Sequence, residues 1–251
     1  VTSVSIAHTA SGDDRLGIAV ITWRRNDSQV SSATWGGTAM ASVAVENGSG
    51  FVSASMFSFI APATSSQTVT ASLTVSATQM CLAAASFTGV HQTTPTGTAV
   101  STAGTGTSVS TIVTSATDEL CVDGLCLRES VTGEAANGGQ TQRADFSSGS
   151  TGDHTTCGVS TEPGAASVAM GWSWTGSVAR RHIAVPLKVA AGGAGPQSED
   201  DSFEDDSVVP WIRRGALGAA LLAANPVTGR RGMLGTAGAA LADLLRKRRR
   251  G

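Results

Sequence analysis

Three cysteines and one histidine have the side chains that a zinc site uses, namely Cys121, Cys126, His154 and Cys157. Thiolate sulfur and imidazole nitrogen are the usual ligands of structural zinc, and four of them complete a tetrahedral site. Cys121 and Cys126, however, lie five residues apart in one predicted strand, so their side chains leave opposite faces of the sheet. Only a bulge at Gly124 would bring them together. The spacing therefore predicts no metal site, and the apolar runs around Cys81, Cys121 and Cys126 predict buried free thiols.

Nucleophilic catalysis would need a hydroxyl beside a histidine and a carboxylate. The four histidines stand in unrelated predicted strands or loops: His8, His91, His154 and His182. No Gly-x-Ser-x-Gly turn joins a strand to a helix. A triad assembled across several strands stays open at this point. The pattern favours a protein without catalytic residues and without a cofactor.

Two further kinds of ligand site can be weighed from residue types. The pair Asp13–Asp14 lies in a predicted turn, where carboxylates and carbonyls bind calcium, although such a pair usually belongs to the turn alone. A carbohydrate site would need exposed aromatic rings with polar neighbours. Trp172 and Trp174 share a predicted strand face with other apolar side chains, which indicates core packing. The predicted ligand-facing residues are therefore Trp23, at a strand end, and its neighbour Arg24.

The elements that carry these residues are predicted to be strands. Runs of alternating apolar and small polar residues recur from residue 2 to residue 189, separated by turns such as Gly36–Gly37 and Asn47–Gly50. Only 14% of the residues are charged and 30 are glycine, which is typical of β domains that rely on Ser and Thr for solubility. Long helical stretches of the kind found in α/β enzymes are absent before residue 190. We therefore predict an all-β fold, a two-sheet, jelly-roll-like β-sandwich, followed by a helical tail.

The composition changes after Lys188, and three parts are predicted. Residues 1–189 form the β-sandwich domain, residues 190–208 a Gly-rich and acidic linker, and residues 209–251 a helical, basic tail. Apolar residues recur every three or four positions in the tail, so they line one face of a helix that needs a packing partner to be stable. The predicted partner-binding residues of the tail are Trp211, Met233, Leu241, Leu244, Leu245 and Arg248.

Several segments of the first part resemble a widespread β-sandwich module. They are residues 35–40 (WGGTAM), 59–64 (FIAPAT), 86–95 (SFTGVHQTTP), 167–174 (SVAMGWSW) and 184–188 (AVPLK). This module occurs in large secreted bacterial proteins and in phage virion structural proteins. The resemblance covers residues 1–189 and implies a β-sandwich without catalytic residues. The tail and the strand that carries Cys121 and Cys126 depart from it.

Charge and hydropathy narrow the functional classes. A net charge of −2 does not favour a nucleic-acid-binding protein. The longest apolar stretch, residues 215–224, is too short to cross a bilayer. We expect a non-enzymatic virion structural protein, a decoration, fibre or tail component anchored through its C-terminal tail. The alternative is a secreted bacterial adhesion or carbohydrate-binding module. Its location would be the virion or the extracellular space, and its partners other virion or surface proteins, further copies of itself, or a glycan.

Overall fold

A computed structural model describes residues 1–48, 50–129, 131–150, 153–193 and 195–205. The regular secondary structure within these ranges is entirely β, with fifteen strands and no helix, which confirms the all-β prediction. In chain order the strands are β1 (Ser3–His8), β2 (Leu16–Trp23), β3 (Val30–Trp35), β4 (Thr38–Ala39), β5 (Ala41–Glu46), β6 (Ser53–Ile60), β7 (Gln67–Leu73), β8 (Met80–Thr88), β9 (Val100–Val113), β10 (Leu120–Leu127), β11 (Thr132–Ala136), β12 (Thr141–Ser150), β13 (Asp153–Pro163), β14 (Val168–Leu187) and β15 (Gln197–Asp205).

The strands form three antiparallel sheets. The outer sheet has the order β1-β7-β3-β4, and the central sheet has the order β15-β8-β2-β6-β5. The long sheet has the order β11-β14-β10-β13-β12, with β9 also paired to β14. The predicted number of two sheets is therefore wrong. Strands β2 and β8 are apolar or small on both faces, so the central sheet buries both faces and needs a sheet on each side.

Two cores lie on either side of the central sheet, and a glycine admits the closest contact in each. Between the outer and central sheets, Trp35 packs over Gly17, where a Cβ would lie only 2.6 Å from the indole. Between the central and long sheets, Val20 packs over Gly124, where a Cβ would lie 2.7 Å from the valine methyl. Real side chains at these glycines would push the sheets apart.

The long strand β14 forms a ribbon with β9 that bends back on itself. The register of this pair shifts between Ser173 and Val178. Thr111 pairs with Met170 at one end of the ribbon, yet its hydroxyl lies 2.9 Å from the imidazole of His182 near the other end. Twelve residues of straight strand would separate Met170 from His182 by roughly 40 Å. The ribbon therefore folds at the bulge and covers the outer side of the long sheet.

The acidic segment predicted as a linker contains a strand instead. Residues 197–205 form β15, which pairs antiparallel with β8 from Gln197–Thr88 to Asp205–Cys81. Strand pairing uses backbone groups, so the acidic composition does not prevent it, and charged residues are common on edge strands.

The predicted helical tail, residues 209–251, lies outside the described residues. Its proposed partner-binding residues lie there too: Trp211, Met233, Leu241, Leu244, Leu245 and Arg248. In the part of the chain that the structure describes, no helix is long and apolar enough to cross a membrane.

Candidate ligand-binding cleft

A cleft of about 540 Å³ opens where several strands of the central and long sheets begin or end. Strand β2 ends at Trp23 and β10 ends at Leu127, while β6 and β8 begin at the same end of the stack because both run antiparallel to β2. The residues that line the cleft are Arg24, Arg25, Asn26, Asp27, Phe51, Thr78 and Arg128. The cleft is therefore built from residues at strand ends, which a rigid pair of sheets holds in place.

Phe51 is an exposed aromatic residue in a strained backbone conformation. It is 57% exposed, and its φ of 60° follows a Gly50 φ of 97°. A bulky side chain at positive φ costs about 1–2 kcal/mol, so glycine is the residue expected there. The guanidinium carbon of Arg128 lies 5.4 Å from the ring centroid, which is a cation–π contact. The fold thus carries both strain and an exposed ring at this cleft, a combination typical of functional sites.

Arg24 is the most buried arginine of the cleft, and its hydrogen bonds connect the end of β2 to the end of β10 and to β13. Its Nη1 donates hydrogen bonds to the carbonyl oxygens of Arg128 at 2.8 Å and His154 at 3.2 Å. The same atom lies 3.6 Å from the carboxylate of Glu129. Because only 12% of its side chain is exposed, Arg24 contributes positive charge and rigidity more than direct ligand contacts.

Arg25 and Asp27 form an ion pair on the more exposed rim. Arg25 Nη2 donates to Asp27 Oδ2 at 3.0 Å, its Nε also bonds this carboxylate, and its Nη1 donates to the Ser76 carbonyl at 2.6 Å. The hydrogen bond from Arg25 lowers the pKa of Asp27, so this carboxylate stays ionised at neutral pH. The pair is solvated and fixes the rim rather than stabilising the fold.

Arg128 offers the best cationic group for a ligand. Its side chain is 39% exposed, while its Nε is buried and lies 3.4 Å from Glu129 Oε1. Three guanidinium groups (Arg24, Arg25 and Arg128) face the two carboxylates of Asp27 and Glu129, so the site has a charge of 3 − 2 = +1. The whole chain has a charge of −2, so the cleft is a local positive region on an acidic protein.

Trp23 does not face this cleft, contrary to the prediction. Its side chain is fully buried in the core between the outer and central sheets, together with Ile21. A tryptophan at the end of an edge-exposed strand would be accessible, but β2 lies inside a sheet that is covered on both faces. Phe51, which follows the predicted turn Asn47–Gly50, is the aromatic residue of the site. The signal that marked it was its position directly after the glycines of residues 48 and 50.

A second polar cluster is buried beneath the bent ribbon and centres on Asp123. Its Oδ2 accepts hydrogen bonds from His182 Nε2 and Trp172 Nε1, both at 2.9 Å. Its Oδ1 accepts from the backbone nitrogen of Ser160 at 2.8 Å and from the Ser160 hydroxyl at 2.7 Å. The other imidazole nitrogen of His182 lies 2.9 Å from the Thr111 hydroxyl. The one sign of this cluster in the sequence is Asp123, a single carboxylate within the otherwise apolar strand LCVDGLCL.

The Thr111 hydroxyl, the His182 imidazole and the Asp123 carboxylate are hydrogen-bonded in the order that nucleophilic catalysis uses. These groups, however, are buried and not accessible to a substrate. Asp123, His182 and Trp172 are completely buried, and Thr111 is 9% exposed. A substrate has no access to the imidazole, because Trp172 and the bent ribbon lie over it. The arrangement satisfies the polar groups of a buried network, which rigidifies a fold.

The cysteines do not assemble with His154 into the site weighed from the sequence. Cys126 and Cys157 are opposite partners on β10 and β13, whereas Cys121 packs in a separate core on the other face. No three of the described His, Cys, Asp and Glu residues are grouped so as to hold a metal ion. All four cysteines are buried and free, as predicted for Cys81, Cys121 and Cys126. Burial raises the pKa of Cys121 and of Cys126 to about 11, and it also raises the pKa of Cys157.

Asp13 and Asp14 form a turn by backbone contacts. The carbonyl of Asp13 accepts a hydrogen bond from the nitrogen of Gly89 at 3.1 Å, and that of Asp14 accepts one from Val90 at 3.0 Å. The turn therefore joins the start of β2 to the segment that follows β8.

No family model, curated protein or solved structure matches this chain. The resemblance to a β-sandwich module thus stays a prediction from the residues quoted for it.

Proposed function

We propose that the chain is a non-enzymatic structural protein of a virion, a decoration, fibre or tail component. The observation that supports the non-enzymatic part is the burial of Thr111, His182 and Asp123. These side chains are hydrogen-bonded to one another inside the protein, where a substrate has no access to them. The low content of charged residues, 14%, supports a domain made for contact with neighbouring proteins. In this proposal the central and long sheets correspond to the jelly-roll-like sandwich of the module that residues 1–189 resemble.

Thr111→Val tests the non-enzymatic role. Valine keeps the shape of threonine but removes the hydroxyl from His182. We expect it to lower stability by about 1 kcal/mol, through loss of one buried hydrogen bond, and to leave particle incorporation unchanged. Thr107→Val, an exposed position on the same strand, is the matched control. Hydrolysis of p-nitrophenyl esters by the parent that Thr111→Val abolishes, with its melting temperature preserved, would overturn the proposal.

Residues 209–251 would anchor the domain to the particle. Leu241→Asp combined with Leu245→Asp places two charges on the predicted apolar face and should abolish incorporation without changing the melting of the β domain. Ala239→Asp lies on the opposite side of the predicted helix and should incorporate normally. Incorporation of the double variant at the parent level, measured in purified particles, would show that the tail is not the anchor.

The cleft favours the alternative role of a secreted adhesion or carbohydrate-binding module. An exposed phenyl ring and guanidinium groups that line a concave cleft are an arrangement expected of a small-ligand site. A virion surface protein can carry such a site as well, so the two roles differ in location and not in the chemistry of the cleft.

A further inference from the structure

We propose that the cleft at Phe51 binds an acidic saccharide, with a sugar ring stacked on Phe51 and its carboxylate attracted by the guanidinium groups of the cleft. The inference rests on the alternative, carbohydrate-binding role proposed above and names the ligand class. It starts from the strained backbone at Phe51, which the fold itself does not require. Glycine at position 51 would relieve the positive φ, yet the chain places a phenyl ring there and leaves it 57% exposed.

The ring and its surroundings match a pyranose better than a peptide. One face of a pyranose is a flat patch of C–H groups that packs on an aromatic ring, while its hydroxyl groups point outward and need polar partners. Asn26, Asp27 and Thr78 supply such partners along the walls of the cleft. A volume of about 540 Å³ suits a ligand of one or a few sugar rings.

The net positive charge of the cleft favours an acidic sugar over a neutral one. Arg128 occupies one face of the Phe51 ring, so a sugar would stack on the opposite face, where its carboxylate would be attracted by the net positive charge of the cleft. The carboxylates of Asp27 and Glu129 offset two of the three positive charges, which leaves +1, enough for one ligand carboxylate. Glu129 is shared between Arg24, at 3.6 Å, and Arg128, at 3.4 Å. A polyphosphate chain would meet a single positive site on an acidic protein, so nucleic acid is disfavoured.

The test uses the full chain and titration calorimetry with three probes: tetragalacturonic acid, a hyaluronan tetrasaccharide and a tetramer of sialic acid. We expect at least one to bind, and its methyl ester, in which each carboxylate is replaced by a neutral ester, to bind about tenfold more weakly. Phe51→Gly and Arg128→Gln should each weaken binding by about tenfold or more. Ile112→Ala removes an apolar side chain that is also 57% exposed and should bind like the parent.

Phe51→Gly keeps the test independent of folding, because removing the strained side chain should maintain or raise the melting temperature while binding is lost. Binding to none of the three probes would overturn the inference and leave the particle-incorporation tests of the structural role unaffected. Equal binding of acid and methyl ester, or tighter binding of a ten-residue oligothymidylate, would also overturn it. Cleavage of a bound saccharide would instead overturn the non-enzymatic role and leave the binding site standing.

Discussion

Asp123 and Trp172 are joined by a hydrogen bond of 2.9 Å between the indole nitrogen and Oδ2, and this contact ties the bent ribbon to the sheet beneath it. Trp172 lies in the part of β14 before the bulge, whereas Asp123 lies on β10, which pairs with the part after the bulge. Asp123 also bonds His182 in that second part. One carboxylate therefore holds both halves of a twenty-residue strand.

Replacing this carboxylate should be among the most damaging single changes. Asp123→Ala leaves the buried donors of Trp172, His182 and Ser160 without their acceptor, and we expect a loss of about 3–5 kcal/mol in the free energy of unfolding. Urea denaturation measures it, with Asp118→Ala, an exposed aspartate, as control. If Asp123→Ala lowers the free energy of unfolding by less than Asp118→Ala does, the ribbon is held to the sheet by packing alone.

The contact between the central and long sheets depends on Gly124. Gly124→Ala places a methyl group 2.7 Å from Val20, so the sheets must separate, and we expect a loss of about 1–3 kcal/mol. Gly138→Ala has open space around the new methyl group and should be close to neutral. Thermal melts of the two variants give the comparison. Equal melting temperatures would mean that the two sheets do not pack at this distance.

Alkaline pH should destabilise the fold through its buried thiols. An unfolded cysteine titrates near pH 8.5, whereas burial raises the pKa of Cys126 to about 11. The thiol of the unfolded state therefore loses its proton at a lower pH than the thiol of the folded state. The full contribution of the thiol to the free energy of unfolding is present below about pH 8.5, and this contribution decreases as the pH rises toward about 11. Cys126 alone should account for about 2 kcal/mol between about pH 7 and pH 10. A Cys126→Ala variant whose stability falls as steeply as that of the parent would contradict this.

Phe51→Gly should stabilise the protein. Relief of the positive φ is expected to add about 1–2 kcal/mol to the free energy of unfolding, partly offset by the greater freedom of glycine in the unfolded chain. Phe51→Ala removes the ring but keeps the strain, so it should be less stable than Phe51→Gly. The reverse order in urea denaturation would show that the backbone at residue 51 is not strained.

Local alternation in the sequence was enough to predict several strands and their faces. In Val168–Trp174 the predicted apolar face is buried and the alternate positions Ala169 and Ser173 are exposed. Period-2 alternation cannot reveal how many sheets stack, because a strand inside a covered sheet is apolar on both faces. Alternation therefore does not indicate the third sheet, and the position of Trp23 at a strand end does not reveal its burial.

The candidate sites show the same limit. Arg24 could be placed at a strand end from the sequence, but its bonds to Arg128 and His154 join residues more than one hundred positions apart. The Asp123 cluster likewise gathers side chains from four strands. Such contacts follow from the pairing of distant strands, which the residue pattern leaves undetermined.

Among the edge strands of the three sheets, β9 and β15 differ in how they would receive another chain. β9 runs for fourteen residues without a charge or a proline, and β14 is its one partner among the described strands. β15, at an edge of the central sheet, contains five acidic residues. Two acidic edges repel each other, whereas two β9 edges can add strand to strand without opposing charges. Because the ribbon bends between Gly106 and Ser108, this edge is divided into two short halves, and copies that meet edge to edge should pair through one half of β9 at a time.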